Sequence, residues 1–225
     1  MITSGVQLIG ISGKAGSGKT TAALHLHKTR ACTWVVHLAD PLKKAAAAMF
    51  GISINDFYDS ELKEEYDQYW HRTPRQIAQF FGTEMVRNTI IDLLPTVGTT
   101  FWIKRLEGLL NNELLDDDGY EVDYGQEDVV VVPDIRFQEE ADWILNSGGI
   151  LINITRPGTA AVGLPGHASE AGFSISAING GRYYEVRNTG TEEELLATID
   201  GIVSSAGLYP FAEEETDPLN DPENF

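Results

Sequence analysis

Cysteine is almost missing from this chain: Cys32 is the single one in 225 residues. That scarcity excludes an intramolecular disulfide and a multi-cysteine metal centre, and it suits a reducing compartment. Long hydrophobic runs are missing as well. No stretch approaches the roughly 20 apolar residues of a membrane helix, and the first residues lack the basic flank and unbroken apolar segment of a secretion signal. A soluble, cytoplasmic protein with no membrane partner is therefore expected. Positive charge is the third scarcity. Sixteen Lys and Arg stand against 34 Asp and Glu, giving a formal net charge of −18. Nonspecific nucleic-acid binding needs Lys and Arg to displace counterions from phosphates, so a nucleic-acid polymer is not an expected partner. A small phosphorylated ligand escapes that exclusion, because a few cations in a cleft dominate the field there.

The acids are unevenly placed. Residues 113–128 and 211–225 together hold 14 of the 34, which puts much of the charge in an expected loop and an acidic, flexible tail (207–225). The loop lacks EF-hand spacing, so a solvated acidic loop is the reading. Elsewhere apolar runs alternate with helical patterns. Strands are predicted at Val6–Ile11, Trp34–Leu38, Val129–Pro133, Gly149–Ile154 and Arg182–Arg187. The continuous Val129–Val132 run fits a central strand covered on both faces. Helices are predicted at Thr20–Arg30, Ala45–Met49, Pro74–Leu94, Thr100–Leu115, Gln138–Asn146 and Thr191–Val203. Asp40 can cap the second helix, with Pro41 in its first turn. Thr191 and Glu194 form a capping box for the last. Residues 51–72 and 156–181 read as irregular insertions. Strand and helix in alternation predict an α/β domain with a largely parallel, doubly wound sheet.

The first strand runs into Gly13-Lys14-Ala15-Gly16-Ser17-Gly18-Lys19-Thr20, a complete G-x-x-x-x-G-K-[ST] loop, and a helix follows it. Strand, glycine loop and helix in that order make a phosphate cradle: backbone N–H groups and the helix dipole converge on an anion. Lys19 would reach the β- and γ-phosphates of a nucleotide, and Thr20 would hold Mg²⁺. The ATP-binding set read from this loop is Gly13, Ala15, Gly16, Ser17, Gly18, Lys19, Thr20 and Thr21.

Further signatures follow in order: Leu38-Ala39-Asp40-Pro41-Leu42-Lys43; Thr73-Pro74-Arg75-Gln76 leading to Phe81-Gly82-Thr83-Glu84 and Arg87; Trp102. Then come Pro133-Asp134-Ile135-Arg136-Phe137 with Glu139 and Glu140, Thr155-Arg156-Pro157-Gly158, His167-Ala168-Ser169-Glu170 and Arg187-Asn188-Thr189-Gly190-Thr191. Over residues 6 to 203 the ordered set resembles the deoxynucleoside monophosphate kinases of tailed bacteriophages, within the P-loop NMP-kinase superfamily. The resemblance implies a three-layer α/β/α fold with a five-stranded parallel sheet in order 2-3-1-4-5. It implies one domain over residues 1–206, carrying a helical NMP-binding insert at about 40–100 and a lid at about 156–175. It also implies ATP- and Mg²⁺-dependent phosphorylation of a dNMP to a dNDP, for dNTP supply.

Phosphoryl transfer needs positioning and cations more than covalent chemistry, so the arginines are weighed first. Arg75 begins a helix behind Thr-Pro and can face an acceptor phosphate. Arg136 follows the valine strand at its C-terminal edge, where open α/β sheets bind ligands. Arg87 can serve the same phosphate or pair with Glu84 three residues back. Asp134 can orient Mg²⁺ through water or lock Arg136 by a salt bridge. Asp40 can face the sugar, the metal shell or the acceptor phosphate, or simply cap its helix; Lys43 can serve phosphate or solubility. The acceptor set thus comprises Asp40, Lys43, Arg75, Thr83, Glu84, Arg87, Trp102, Arg136 and Glu170, and the catalytic set Lys19, Arg75, Asp134, Arg136 and Arg156. Arg156 and the glycines after it would belong to the lid, whose His167 and Glu170 could order it on closing. By superfamily analogy Asn188 lies beside the adenine of ATP. One of Trp70, His71, Phe80, Phe81 and Trp102 is expected to stack on the acceptor base.

Three other readings share the glycine loop. The chain could phosphorylate another small acceptor, such as dephospho-coenzyme A or a phosphorylated isoprenoid precursor. It could modify a base within DNA, against which the net charge argues. It could be a nucleotide-driven switch, which would leave Arg75 and Arg136 unexplained. A homodimer also stays open, since Phe57, Tyr58, Tyr66, Tyr69 and Trp70 could form an interface or a pocket wall.

Overall fold

Alternate residues of the valine run face opposite sides of one sheet, and each side is covered by helices. The computed structural model describes residues 2–116, 118–159, 173–174 and 182–208. Its strands are β1 (Gln7–Ser12), β2 (Thr33–Val35), β3 (Val129–Ile135), β4 (Ile150–Thr155) and β5 (Tyr183–Arg187). All four pairings are parallel and the order is β2-β3-β1-β4-β5. β1 therefore lies at the centre, which puts the glycine loop over the middle of the sheet's C-terminal edge.

On one face, Ile9, Ile11, Val129, Val131, Ile152 and Ile154 pack against α1 (Lys19–Thr29) and the last helix, α7 (Glu192–Ser205), through Ala22, Ala23, Leu26, Leu195, Ile199 and Val203. On the other face, Leu8, Val130, Val132 and Leu151 pack against α5 (Phe101–Leu110) and α6 (Gln138–Asn146). The result is three layers, α/β/α. Burying these strand residues on both faces is worth roughly 1.5–3 kcal/mol for each large side chain. That burial is why the continuous run at 129–132 forms a strand and not a surface segment.

A smaller apolar cluster of Ala46, Phe57 and Ile77 joins α2 (Asp40–Phe50), α3 (Ile54–Tyr58) and α4 (Pro74–Gln79), with Phe50 and Phe81 against it. These helices stand beside the sheet's C-terminal edge and wall one side of the cavity described below. At the start of α4 the Thr73 hydroxyl accepts the Gln76 N–H at 3.2 Å, and the Gln76 side chain returns the bond by accepting the Thr73 N–H. The same reciprocal cap, Thr191 with Glu194, starts α7.

Several local expectations change. The continuous helix expected over Pro74–Leu94 ends at Gln79, continues as a π-helical segment Phe80–Arg87, and then gives a short 3₁₀ turn at Ile90–Asp92. Wide turns of this kind rotate every later side chain relative to an α-helix, so α-helical phase no longer relates Arg75 to Arg87. The second helix begins at Asp40, five residues before expectation, with Ala39 in the cap position. Asp40 is thus no N-cap. The expected irregular stretch 51–72 contains α3 and a 3₁₀ turn at Leu62–Glu64. In α1 the apolar face runs through Ala22, Ala23 and Leu26, leaving Leu24 44% exposed. Residues 160–172, with Glu170, His167 and most of the expected lid, lie outside the described residues, as do 209–225 of the tail.

Candidate active site

The glycine loop turns because its glycines permit backbone that other residues resist. Gly13 has φ +141° and Gly18 has φ +108°. A Cβ on Gly13 would lie 2.2 Å from the Ile154 carbonyl oxygen, so β4 leaves no room for a side chain. Gly18 caps α1 with no side-chain hydrogen bond, and the first turn of that helix carries no acid. The N-terminal N–H groups of α1 are thus left for an anion rather than spent on a cap. The loop is anchored from the far side of the sheet: Asn188, at the end of β5, donates its amide to the Ser17 carbonyl at 2.8 Å.

Lys19 Nζ donates to the Lys14 carbonyl at 2.9 Å and pairs with Asp134 Oδ1 at 3.2 Å. A break in the ladder aims this carboxylate. Ile11 pairs with Pro133 and Ser12 with Ile135, so Asp134 is the extra residue of a β-bulge, held at φ +68°. Left-handed backbone costs a non-glycine residue roughly 1–2 kcal/mol, and bulges recur where a side chain must be redirected. Here the redirection puts Asp134 between Lys19 and Arg136, whose Nη2 is 3.8 Å away. Burial would raise the Asp134 pKa, but the Arg136 and Lys19 charges outweigh it and hold the carboxyl below its usual range. Asp134 is therefore ionised at neutral pH.

These groups open on a cavity of about 740 Å³ that runs from the glycine loop to the insert helices. Its lining contains eight cations, Lys14, Lys19, Lys43, Lys63, Arg75, Arg87, Arg136 and Arg156, against two carboxylates, Asp134 and Glu140. Half of the chain's 16 Lys and Arg thus border one space in a protein of net charge −18. Such focusing selects a polyanionic ligand small enough to enter. Lys43 is lowered in pKa chiefly by burial, with Asp40 opposing the shift, and burial lowers His37 in the same way. Lys63 is lowered by burial and by the Arg75 charge beside it.

The structure brings many of the expected residues to this cavity: Gly13, Ala15, Gly16, Lys19 and Thr20 from the loop, Lys43, Arg75, Thr83, Arg87 and Trp102 from the insert side, and Asp134, Arg136 and Arg156 from the strand ends. Arg75 is paired with Glu64, and Arg87 with Glu139 at 3.1 Å rather than with Glu84. Ser17, Gly18 and Thr21 do not border the cavity. Ser17 and Gly18 shape the loop from beneath. Asn188 is buried and braces the loop through the Ser17 carbonyl. Glu84 accepts from Asn88 at 2.9 Å outside the cavity. Asp40 is not among the cavity-lining residues; it accepts the Tyr58 hydroxyl at 2.8 Å and lies 3.5 Å from Lys43, bracing that lysine.

Of the five aromatic residues considered for stacking, only Trp102 lines the cavity, and its indole N–H donates to the Gly82 carbonyl at 3.3 Å. Trp70 packs edge-on against Phe50, and Phe80 is 52% exposed. Phe57 is buried and lines the cavity, whereas Tyr58, Tyr66, Tyr69 and Trp70 are exposed. Sequence reasoning missed Phe137, His37, Lys63 and Glu140 as cavity residues. Phe137 and Glu140 stand in the signature that opens at Pro133 without a role assigned to them, and His37 precedes Leu38, so membership and adjacency were the available signals.

Glu140 is buried, and one of its carboxylate oxygens accepts the backbone N–H groups of Arg136 at 2.8 Å and Phe137 at 3.1 Å. Burial nevertheless raises its pKa above the ordinary 4.5. A carboxyl with a raised folded-state pKa favours folding most at low pH, and that contribution fades as pH rises through the elevated value. Glu140→Gln keeps an acceptor oxygen and removes the titration. Its melting temperature relative to wild type should therefore improve from pH 4 toward pH 7, as followed by thermal unfolding across that range. A constant difference would disprove the linkage.

A metal would find hard oxygen donors here. Thr20 and the ionised Asp134 border the same cavity, and Mg²⁺ is commonly held by one or two such protein groups plus substrate phosphates and water. No group of three His, Cys, Asp or Glu able to hold a metal without a ligand occurs among the described residues.

No family model matches the chain. A protein of Acanthamoeba polyphaga mimivirus, provisionally named deoxynucleotide monophosphate kinase, is 37% identical over 156 residues, covering 68% of this chain and 76% of the relative. The chain belongs to the deoxynucleotide monophosphate kinase family. This assignment is broader than the bacteriophage group its motifs resemble, since the relative comes from a giant virus. A deoxynucleotide monophosphate kinase binds small nucleotides, which agrees with a cation-lined cavity at the C-terminal edge of a parallel sheet. Among the described residues, no helix of this family member is long and apolar enough to cross a membrane.

Proposed function

We propose that the chain transfers the γ-phosphoryl group of ATP to a deoxynucleoside monophosphate, giving ADP and a dNDP for dNTP supply in the cytoplasm of a bacteriophage-infected cell. One observation carries the reading: a single cavity is bordered at one end by the loop with Lys19 and at the other by Arg75. An NTPase needs the first end only.

In this reading the loop N–H groups and Lys19 hold the β- and γ-phosphates. Arg75, at the capped start of α4, grips the acceptor phosphate, and Arg136 stands beside Asp134, where donor and acceptor meet. Thr20, and Asp134 through water, would hold Mg²⁺, which supplies charge neutralisation on the phosphate oxygens. The acceptor phosphate is ionised near neutral pH, so no protein base is required. Asp134 has two partners to trade. When phosphate takes Lys19, the carboxylate keeps Arg136 oriented. Arg156 would belong to a lid over about 156–175 and the insert to about 40–100, within one domain over 1–206; closure would exclude water and limit ATP hydrolysis.

A coupled assay of ADP release with the four dNMPs and their ribose counterparts tests the proposal. ADP release should depend on a dNMP. Release at one slow rate whatever acceptor is added would instead identify a switch. Arg75→Ala should raise KM for the dNMP about tenfold or more, the value of a charged hydrogen bond, and leave KM for ATP within about twofold. An unchanged dNMP KM would remove Arg75 from the acceptor site.

A further inference from the structure

Phe137 follows Arg136 directly, at the C-terminal end of β3, and its half-buried ring borders the cavity. The Arg87 guanidinium lies over that ring, 4.0 Å from the centroid. The same guanidinium is paired with Glu139 at 3.1 Å, and the Thr99 hydroxyl donates to the same carboxylate oxygen at 3.4 Å. The turn before α5 and the start of α6 therefore hold, through Glu139, the arginine that the π-helical segment lays over the phenyl ring. Arg87 has its charge met by a carboxylate and its face spent on an aromatic surface. A cation kept for phosphate would turn its N–H edge to the ligand, whereas Nη2 of Arg87 is turned to Glu139. Arg87 instead fixes the orientation of Phe137.

The other aromatic cavity residues are less suited to such a role. Phe57 is 5% exposed within the insert cluster, Trp102 is tied to the Gly82 carbonyl, and Phe173 packs against the core cluster of Leu8, Val130 and Val132. Phe137 is also on the acceptor side, because the residue holding it comes from the insert wall and not from the glycine loop. We infer that Phe137 is the platform on which the acceptor's base stacks, and that Arg87 is its positioning residue rather than a phosphate ligand; this rests on a dNMP being the acceptor. A ring held before binding spares the ligand the cost of ordering it. Stacking tolerates different bases, since every base has a π face, so one platform can serve more than one dNMP.

The test separates base from phosphate. Each dNMP and its parent deoxynucleoside are titrated into the full chain and its variants by calorimetry, with inorganic phosphate as the third ligand. Phe137→Leu should weaken dNMP and deoxynucleoside alike, by about five- to fiftyfold, while Phe137→Tyr binds as wild type. Arg87→Gln should weaken both by a common factor of about three to ten, with phosphate binding unchanged, and Arg87→Lys should recover part of it by restoring a cation over the ring. In turnover, KM for the dNMP should rise more than kcat falls in both Phe137→Leu and Arg87→Gln. If Phe137→Leu loses its cooperative melt, Phe137→Met replaces it. Loss of dNMP or phosphate binding in Arg87→Gln with deoxynucleoside binding intact would make Arg87 a phosphate ligand and overturn the positioning role. Wild-type affinities in the Phe137 variant would overturn the platform. Failure of wild-type protein to bind any dNMP or deoxynucleoside would instead overturn the acceptor reading itself, and the platform with it.

Discussion

Lys19→Met is expected to lower kcat about 10²- to 10³-fold while the protein remains folded. Removal of one preorganised donor from developing transition-state charge costs about that much in other enzymes. The fold should survive because methionine keeps the unbranched, largely apolar stem of a side chain whose residue is only 8% exposed. Asp134, losing Lys19 at 3.2 Å, keeps Arg136 at 3.8 Å and so is not left as an unpaired charge. The measurement is steady-state turnover with saturating ATP, Mg²⁺ and dNMP, beside a thermal melt. A variant that melts like wild type and turns over like wild type would refute the role given to Lys19.

Gly13→Ala should damage both the fold and the donor site. The new Cβ would meet the Ile154 carbonyl oxygen at 2.2 Å and Ser17 Oγ at 2.7 Å, at a backbone φ of +141°. The hydroxyl can turn away. The carbonyl cannot, because it belongs to β4, a strand paired on both sides. The loop must therefore shift, at a cost of about 2 kcal/mol or more, and its N–H groups leave the positions that converge on the phosphate. Denaturant unfolding should show the lost stability, and ATP titration should show at least about a tenfold loss of affinity. Wild-type values in both would mean that the loop is not the cradle described.

Local chemistry makes some elements legible in the order of residues alone. The Thr191–Glu194 cap, the all-apolar valine strand and α6 at Gln138–Asn146 follow from hydrogen bonding and periodicity within a few residues, and they stand where expected. The stretch 74–94 is not legible in that way. Its apolar positions fit an α-helical period, but Gly82 lies where a Cβ would come within 2.5 Å of Leu42 and where its carbonyl meets the Trp102 indole. Those are tertiary contacts, with partners 40 and 20 residues away, and the segment is π-helical where they occur. The Asp134 bulge is hidden for the same reason, since a ladder slip depends on the neighbouring strand.

Sequence by itself determined the glycine loop, the strand–helix alternation and the scarcity of cations that made the remaining arginines conspicuous. Each rests on short-range rules of backbone freedom, periodicity and charge. Only the tertiary structure decided which cations share a space, because eight of them from separate segments meet in one cavity. It also decided the partners: Lys19 with Asp134, Arg75 with Glu64, and Arg87 with Glu139 and Phe137. Pairing strengths depend on distance and burial, and neither is written in the order of residues along the chain.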